Sequence, residues 1–68
     1  MELIFQVREA GEGGFCARAV GHSIFTEADS WDELQANVIE AVSAHFDAAE
    51  VRPETVQLEY NGTVLRML

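Results

Sequence analysis

Apolar and polar residues alternate early in the chain. From Glu2 to Arg8 the alternation is broken only by Ile4, and this period of two predicts a half-buried strand. The glycine-rich segment at residues 11–14 tolerates positive φ angles, so it predicts a reversal into a second strand at residues 15–20. Ile24-Phe25-Thr26 is apolar and β-favouring, and it predicts a short third strand.

A helix is predicted next. Ser30-Trp31-Asp32-Glu33 has the S-x-x-E form of a capping box, in which Ser30 and Glu33 satisfy free N–H groups of the first turn. From Ser30 to about Asp47, apolar residues recur at helical spacing, and such a stripe is stable when it packs on the apolar face of a sheet. The predicted stripe consists of Trp31, Leu34, Val38, Ala41, Val42 and His45, flanked by Ile39 and Phe46.

The strand pattern returns after Pro53, which cannot continue the helix. Residues 56–60 alternate again, and Asn61-Gly62 is a strong signal for a two-residue hairpin turn. Residues 63–68 can then pair back, with Leu58 opposite Leu65 and Val56 opposite Met67 on the same face.

These elements predict the fold class. We expect a single α+β domain over residues 1–68, with an antiparallel sheet of three to five strands in the order β-β-β-α-β and one amphipathic helix packed on one face. The sheet face away from the helix is expected to be mixed, which suits a partner or a second copy, although scattered exposed apolar residues are also ordinary. Its predicted members are Ile4, Gln6, Arg8, Cys16, Arg18, Val20, Gln57, Glu59, Arg66 and Leu68.

The charge balance narrows the choice of partner. Twelve acidic residues face four arginines, a formal net charge of -8. Such a field repels phosphate backbones and anionic membranes, so a basic protein is favoured over nucleic acid or membrane, although acidity can also serve solubility alone. With neither a signal peptide nor an apolar run of about 18 residues, the sequence predicts a cytoplasmic protein.

Candidate catalytic chemistry is sparse. Cys16 has no second cysteine to pair with, His22 and His45 have no partners in sequence, and no metal-ligand spacing occurs. We therefore predict no catalytic residue, no cofactor and no metal. Four carboxylates, Glu27, Asp29, Asp32 and Glu33, lie close together around the helix start. They suit helix capping and a solvated surface, and their second use is to receive basic side chains of a partner.

The segment from Gly14 to Ala17, followed by the segment from Phe25 to Ala41, resembles the N-terminal domain of HicB-family antitoxins. In that family a glycine-aromatic strand leads to a helix start of the form T-x-G-D-[ST]-x-[ED]-E-[AL]-x-x-N-x-x-E-A. The matching positions are Thr26, Asp29, Ser30, Asp32, Glu33, Asn37, Glu40 and Ala41. The departures are Ala28, where the pattern has glycine, and Gly21-His22-Ser23 in place of the usual Pro-Gly-Cys.

The resemblance implies a pared-down RNase H-like fold. It also implies that the protein neutralises a small basic HicA-type toxin, which acts on mRNA, and that it forms homo-oligomers, either dimers or tetramers. Full-length members of that family also carry a DNA-binding module, which the sequence lacks, so DNA binding is not expected. The partner-binding residues predicted from the acidic helix start and the mixed sheet face are Glu27, Asp29, Asp32, Glu33, Arg18 and Val20.

Two alternatives stay open at this point. One is an oligomeric structural or regulatory domain without a toxin partner. The other is a small hydrolase or metal-dependent nuclease, which would need His22 gathered in a pocket with at least two carboxylates.

Overall fold

The computed structural model describes residues 1–46 and 52–67. Within these residues, five strands form a single sheet, and one helix packs on one face of it. In chain order the elements are β1 (Glu2–Glu9), β2 (Phe15–Ala19), β3 (Phe25–Ala28), α1 (Trp31–His45), β4 (Thr55–Tyr60) and β5 (Thr63–Arg66).

The strands are ordered β3-β2-β1-β4-β5 across the sheet. Neighbouring strands are antiparallel except β1 and β4, which pair in parallel from Glu2↔Thr55 to Gln6↔Glu59. The helix carries the chain from β3, at one edge, back to β4 beside the central strand. The predicted α+β class and element order are confirmed. The sheet is mixed and not wholly antiparallel as predicted, because the crossover makes its central pairing parallel.

The third strand begins later than the sequence predicts. The β2–β3 ladder runs from Arg18↔Phe25 to Phe15↔Ala28, so Ile24 precedes the strand. The backbone N–H of Ala19 donates to the carbonyl of Ile24 at 3.0 Å, which makes Ile24 the closing residue of the loop. Its side chain is nevertheless buried, and that explains its apolar character.

The last hairpin matches its predicted turn. Asn61 and Gly62 both have positive φ angles, 49° and 79°, as a type I′ turn requires. The predicted cross-strand pair Leu58↔Leu65 is present. Leu68, the predicted end of this strand, lies outside the described residues.

The helix begins as predicted. Ser30 is its N-cap, with extended backbone, and its Oγ accepts a hydrogen bond from the backbone N–H of Glu33 at 3.2 Å. At the other end, Phe46 donates its backbone N–H to the carbonyl of Val42. The predicted end near Asp47 lies outside the described residues.

The stripe of α1 is buried along its centre. Leu34, Val38 and Val42 are buried, and Trp31 is half-buried. His45 is exposed, so the prediction that it belongs to the stripe is wrong, and Phe46, one position on, turns inward instead. The buried cluster joins both layers and consists of Leu3, Phe5, Val7, Ala17, Ala19, Ile24, Leu34, Val38, Val42, Phe46, Val56 and Leu58.

A side-chain bond fastens the helix to the sheet. The Nδ2 of Asn37, on α1, donates to the backbone carbonyl of Glu27, on β3, at 3.0 Å. β3 is an edge strand, so this carbonyl has no strand beyond it to bond, and the asparagine amide occupies that position. The bond fixes the helix start relative to the end of β3.

We expect Ser30→Ala to lower the free energy of unfolding by about 1 kcal/mol, because it removes the acceptor for the Glu33 N–H. Ser43→Ala is the matched control, since Ser43 is exposed inside the same helix and alanine is a better helix former there. Urea unfolding measures both. Equal effects of the two changes would contradict the assignment of Ser30 as the cap.

Candidate functional site: an acidic groove

An open groove of about 460 Å³ lies at the end of the sheet where the hairpin loop, the end of β3 and the helix start meet. The carboxyl ends of β1, β3 and β4 lie at this end, because these three strands run in the same direction. We call it the acidic groove. Its lining residues are Ala10, Gly11, Glu12, Gly13, Phe15, Glu27, Ala28, Asp29 and Glu33.

Four carboxylates line the acidic groove. Glu12 comes from the hairpin loop, Glu27 and Asp29 from β3 and the residue after it, and Glu33 from the first turn of α1; all four are exposed. Its described lining residues include no arginine or lysine. A concave surface of one charge sign attracts counter-charges, so the groove is suited to basic side chains.

The hairpin loop is closed by its own backbone hydrogen bonds, and its last glycine lies close to the end of β3. Ala10 donates its N–H to the carbonyl of Gly14 at 3.1 Å, and Gly13 donates to the carbonyl of Ala10 at 3.2 Å. Gly14 has a φ of +78°, and a Cβ placed there would lie 2.5 Å from the carbonyl oxygen of Ala28. Only glycine allows this approach, which closes one wall of the groove.

Three aromatic rings pack together beside the groove, and one of them, Phe15, lines it. Phe15 meets Trp31 and Tyr60 edge-on, with ring centroids 5.4 and 5.6 Å away, and Trp31 lies 5.6 Å from Tyr60. Edge-to-face pairs at these distances are favourable. The cluster joins β2, α1 and β4, so it sets the helix start relative to the strand ends.

A hydrogen bond completes this support. The Tyr60 hydroxyl donates to Oε1 of Glu9 at 2.7 Å, linking the ends of β4 and β1. The pKa of Tyr60 is raised above its ordinary value, and the largest cause is this hydrogen bond to Glu9. Desolvation of the hydroxyl and the negative charge of Glu9 raise it further. Sequence reasoning missed this pair because the two residues are far apart in the chain.

The residues predicted to bind a partner separate into two surfaces. Glu27, Asp29 and Glu33 meet in the acidic groove, and Asp32 is exposed on the same helix turn without lining it. Glu12, which the sequence analysis did not select, joins them because the hairpin loop folds over the end of β3.

Arg18 and Val20 lie elsewhere, on the sheet face away from the helix, which we call the open face. Gln6, Arg8, Cys16, Arg18 and Phe25 line a shallow hollow of about 160 Å³ on this face. Phe25 was not predicted there, because the register of β3 was needed to place it opposite Arg18.

The histidines do not join a carboxylate site in the described part of the chain. His22, in the loop after β2, packs against His45 and Phe46, with ring centroids 6.3 and 5.8 Å away. Among residues 1–46 and 52–67, no group of three or more histidine, cysteine, aspartate or glutamate side chains could hold a metal ion. In the same residues, no helix is long and apolar enough to span a membrane.

The fold and its groove define a class of small acidic α+β domain, with one crossover helix on a mixed five-stranded sheet. Within that class, the chain belongs to the UPF0150 family. It is 50% identical over 52 residues to a UPF0150 protein of Archaeoglobus fulgidus, covering 76% of each chain. It is 39% identical over 46 residues to a UPF0150 protein of Thermotoga maritima, covering 68% of this chain and 66% of the relative.

No family model matches the chain, and no solved structure is a significant match. The family name states no function, so a function has to be inferred from the residues and their geometry.

We expect Gly14→Ala to destabilise the fold by about 3 kcal/mol or more, since it adds a clash with the Ala28 carbonyl to an unfavourable φ. Gly21→Ala is the control, because Gly21 has a φ of +79° and open space around it. It should cost only about 1 kcal/mol. Urea unfolding of both variants separates the clash from the backbone strain, and equal losses would argue against the close approach.

We expect the pKa of Tyr60, the single tyrosine, to lie above its ordinary value and to fall toward that value in Glu9→Gln. The folded-state pKa exceeds the unfolded one, so the bond stabilises the fold fully below about pH 10 and loses its effect as the pH rises through the folded-state pKa. Ultraviolet titration of tyrosinate measures the shift. An ordinary pKa in the unmodified protein would rule out the hydrogen bond.

Proposed function

We propose that this chain is a non-enzymatic protein-binding module of the HicB antitoxin type, which neutralises a small basic HicA-type toxin by direct binding. The observation that carries the proposal is the acidic groove, with four exposed carboxylates and no cation among its described lining residues. The activity would take place in the cytoplasm, where mRNA is translated.

Charge favours a basic protein as the partner. At a net charge of -8, the chain repels nucleic acid and attracts a basic surface that binds RNA. A toxin that contacts mRNA through arginines and lysines would present those side chains to Glu12, Asp29 and their neighbours. Occupying them would compete with RNA for the same surface.

The resemblance to the HicB helix start supports the same reading. Three of its matching residues build the region of the groove: Ser30 caps the helix, Asn37 ties it to β3, and Asp29 lines the groove. The residues of the pattern therefore fix the helix start and place carboxylates beside it.

The main alternative is an oligomeric structural or regulatory domain with no toxin. Its favouring observation is the open face, which presents exposed apolar side chains and does not depend on the groove. A metal-dependent nuclease or hydrolase stays the weaker alternative, because His22 contacts His45 and Phe46 and not a pair of carboxylates.

We expect the full chain to co-purify with a HicA-type toxin from its own genome and to relieve the growth arrest that this toxin causes. Glu12→Gln with Asp29→Asn should weaken the complex about tenfold and reduce its sensitivity to salt, because both carboxylates lie at the groove surface. Calorimetry at two salt concentrations measures both effects.

Glu40→Gln with Glu54→Gln is the matched control, since both glutamates are exposed, lie outside the groove and change the net charge equally. An equal loss of affinity in both double variants would show that overall charge acts and not the groove. A chain that binds no HicA-type toxin would contradict the antitoxin proposal and favour the structural alternative.

A further inference from the structure

We propose that two copies of this chain associate through their open faces into a twofold dimer, in which Arg18 of each copy meets Glu59 of the other. The inference concerns a different surface from the acidic groove and does not rest on the proposed function. It starts from the strand register, which sets one row of side chains across the whole sheet.

The row is chemically symmetric about the central strand. Its members, from β3 to β5, are Phe25, Arg18, Gln6, Glu59 and Val64. An amide stands at the centre, a cation and an anion flank it, and an apolar side chain ends the row on each side. With strands about 4.8 Å apart, Arg18 and Glu59 of one chain lie about 10 Å from each other on either side of Gln6.

This order matches itself when two open faces meet. A twofold axis that runs along β1, between the copies, brings β2 over β4 and β3 over β5. Arg18 then faces Glu59 twice, Phe25 faces Val64 twice, and Gln6 faces Gln6, whose amide both donates and accepts. The sheets would stack nearly aligned, about 10 Å apart, as in a β-sandwich.

The open face holds apolar area that one copy leaves in water. Phe25 is 56% exposed and Val64 is 55% exposed, and Val20 beside the row is 52% exposed. Burying such side chains against apolar partners is favourable. Contact between Phe25 and Val64 removes both from solvent at each end of the row.

The hollow on the same face gives Glu59 a receiving site. Its lining includes Arg8 and Arg18, together with Gln6, Cys16 and Phe25. Both arginines are exposed, and within residues 1–46 and 52–67 neither forms a salt bridge. A carboxylate from a facing copy would satisfy two guanidinium groups at once.

The charge of the face permits self-association despite the acidity of the chain. Three of the four arginines lie on the open face, Arg8, Arg18 and Arg66, and its acids are Glu2, Glu59 and Glu27, which also lines the acidic groove. The face is therefore close to neutral among the described residues. In this arrangement the helices lie on the outer sides of the dimer, and the two grooves lie at the same end, because an axis along β1 keeps corresponding strand ends together.

The test is sedimentation of the full chain from about 1 µM to about 1 mM. The unmodified protein should be a dimer at the upper end of this range. Arg18→Glu and Glu59→Arg, each alone, should raise the dimer dissociation constant about a hundredfold, because the axis repeats each reversed pair.

Mixing the two single variants is the sharper measurement. A heterodimer pairs Glu at position 18 with Arg at position 59, and Glu59 with Arg18, so the mixture should dimerise although neither component does alone. Coupling within one chain cannot produce this result. Glu40→Arg, on the helix and outside the face, is the control and should leave the dimer intact.

Circular dichroism of each variant verifies that the fold is kept. A monomer at about 1 mM, dimers insensitive to both reversals, or a mixture that stays monomeric would overturn the proposal. Loss of toxin binding in the groove variants, with the dimer intact, would concern the proposed function alone.

Discussion

The parallel pairing of β1 with β4 is the constraint from which the rest of the structure follows. Two parallel neighbours cannot be joined by a tight turn, so the chain needs a crossover to return to the starting end of the sheet. The helix α1 supplies it between β3 and β4. Because there is one such helix among the described residues, it covers one sheet face and leaves the other open.

The same constraint explains where the acidic groove lies. β1, β3 and β4 run in one direction, so their carboxyl ends, the hairpin loop and the start of α1 all meet at one edge. The bond from Tyr60 to Glu9 and the contacts of Phe15 fix these ends to one another. These contacts hold in place the backbone that carries the carboxylates, although each carboxylate is exposed.

Much of the fold could be predicted from local signals. The capping box at Ser30 and the turn at Asn61-Gly62 act over a few residues, and both are present. What the sequence could not supply depends on contacts between distant segments. The place of Glu12 beside Asp29 requires the hairpin loop to fold over β3, and the place of Phe25 beside Arg18 requires the exact register of an edge strand.

The separation of charge within so small a domain has a thermodynamic consequence. The acidic groove concentrates carboxylates at one edge, whereas three of the four arginines lie on the open face. A basic partner in the groove and a second copy on the open face would share few contacting residues. Binding energies at sites without shared contacts are close to additive. Self-association would therefore give each assembly two grooves and raise its avidity for a partner with several basic surfaces, without altering the groove itself.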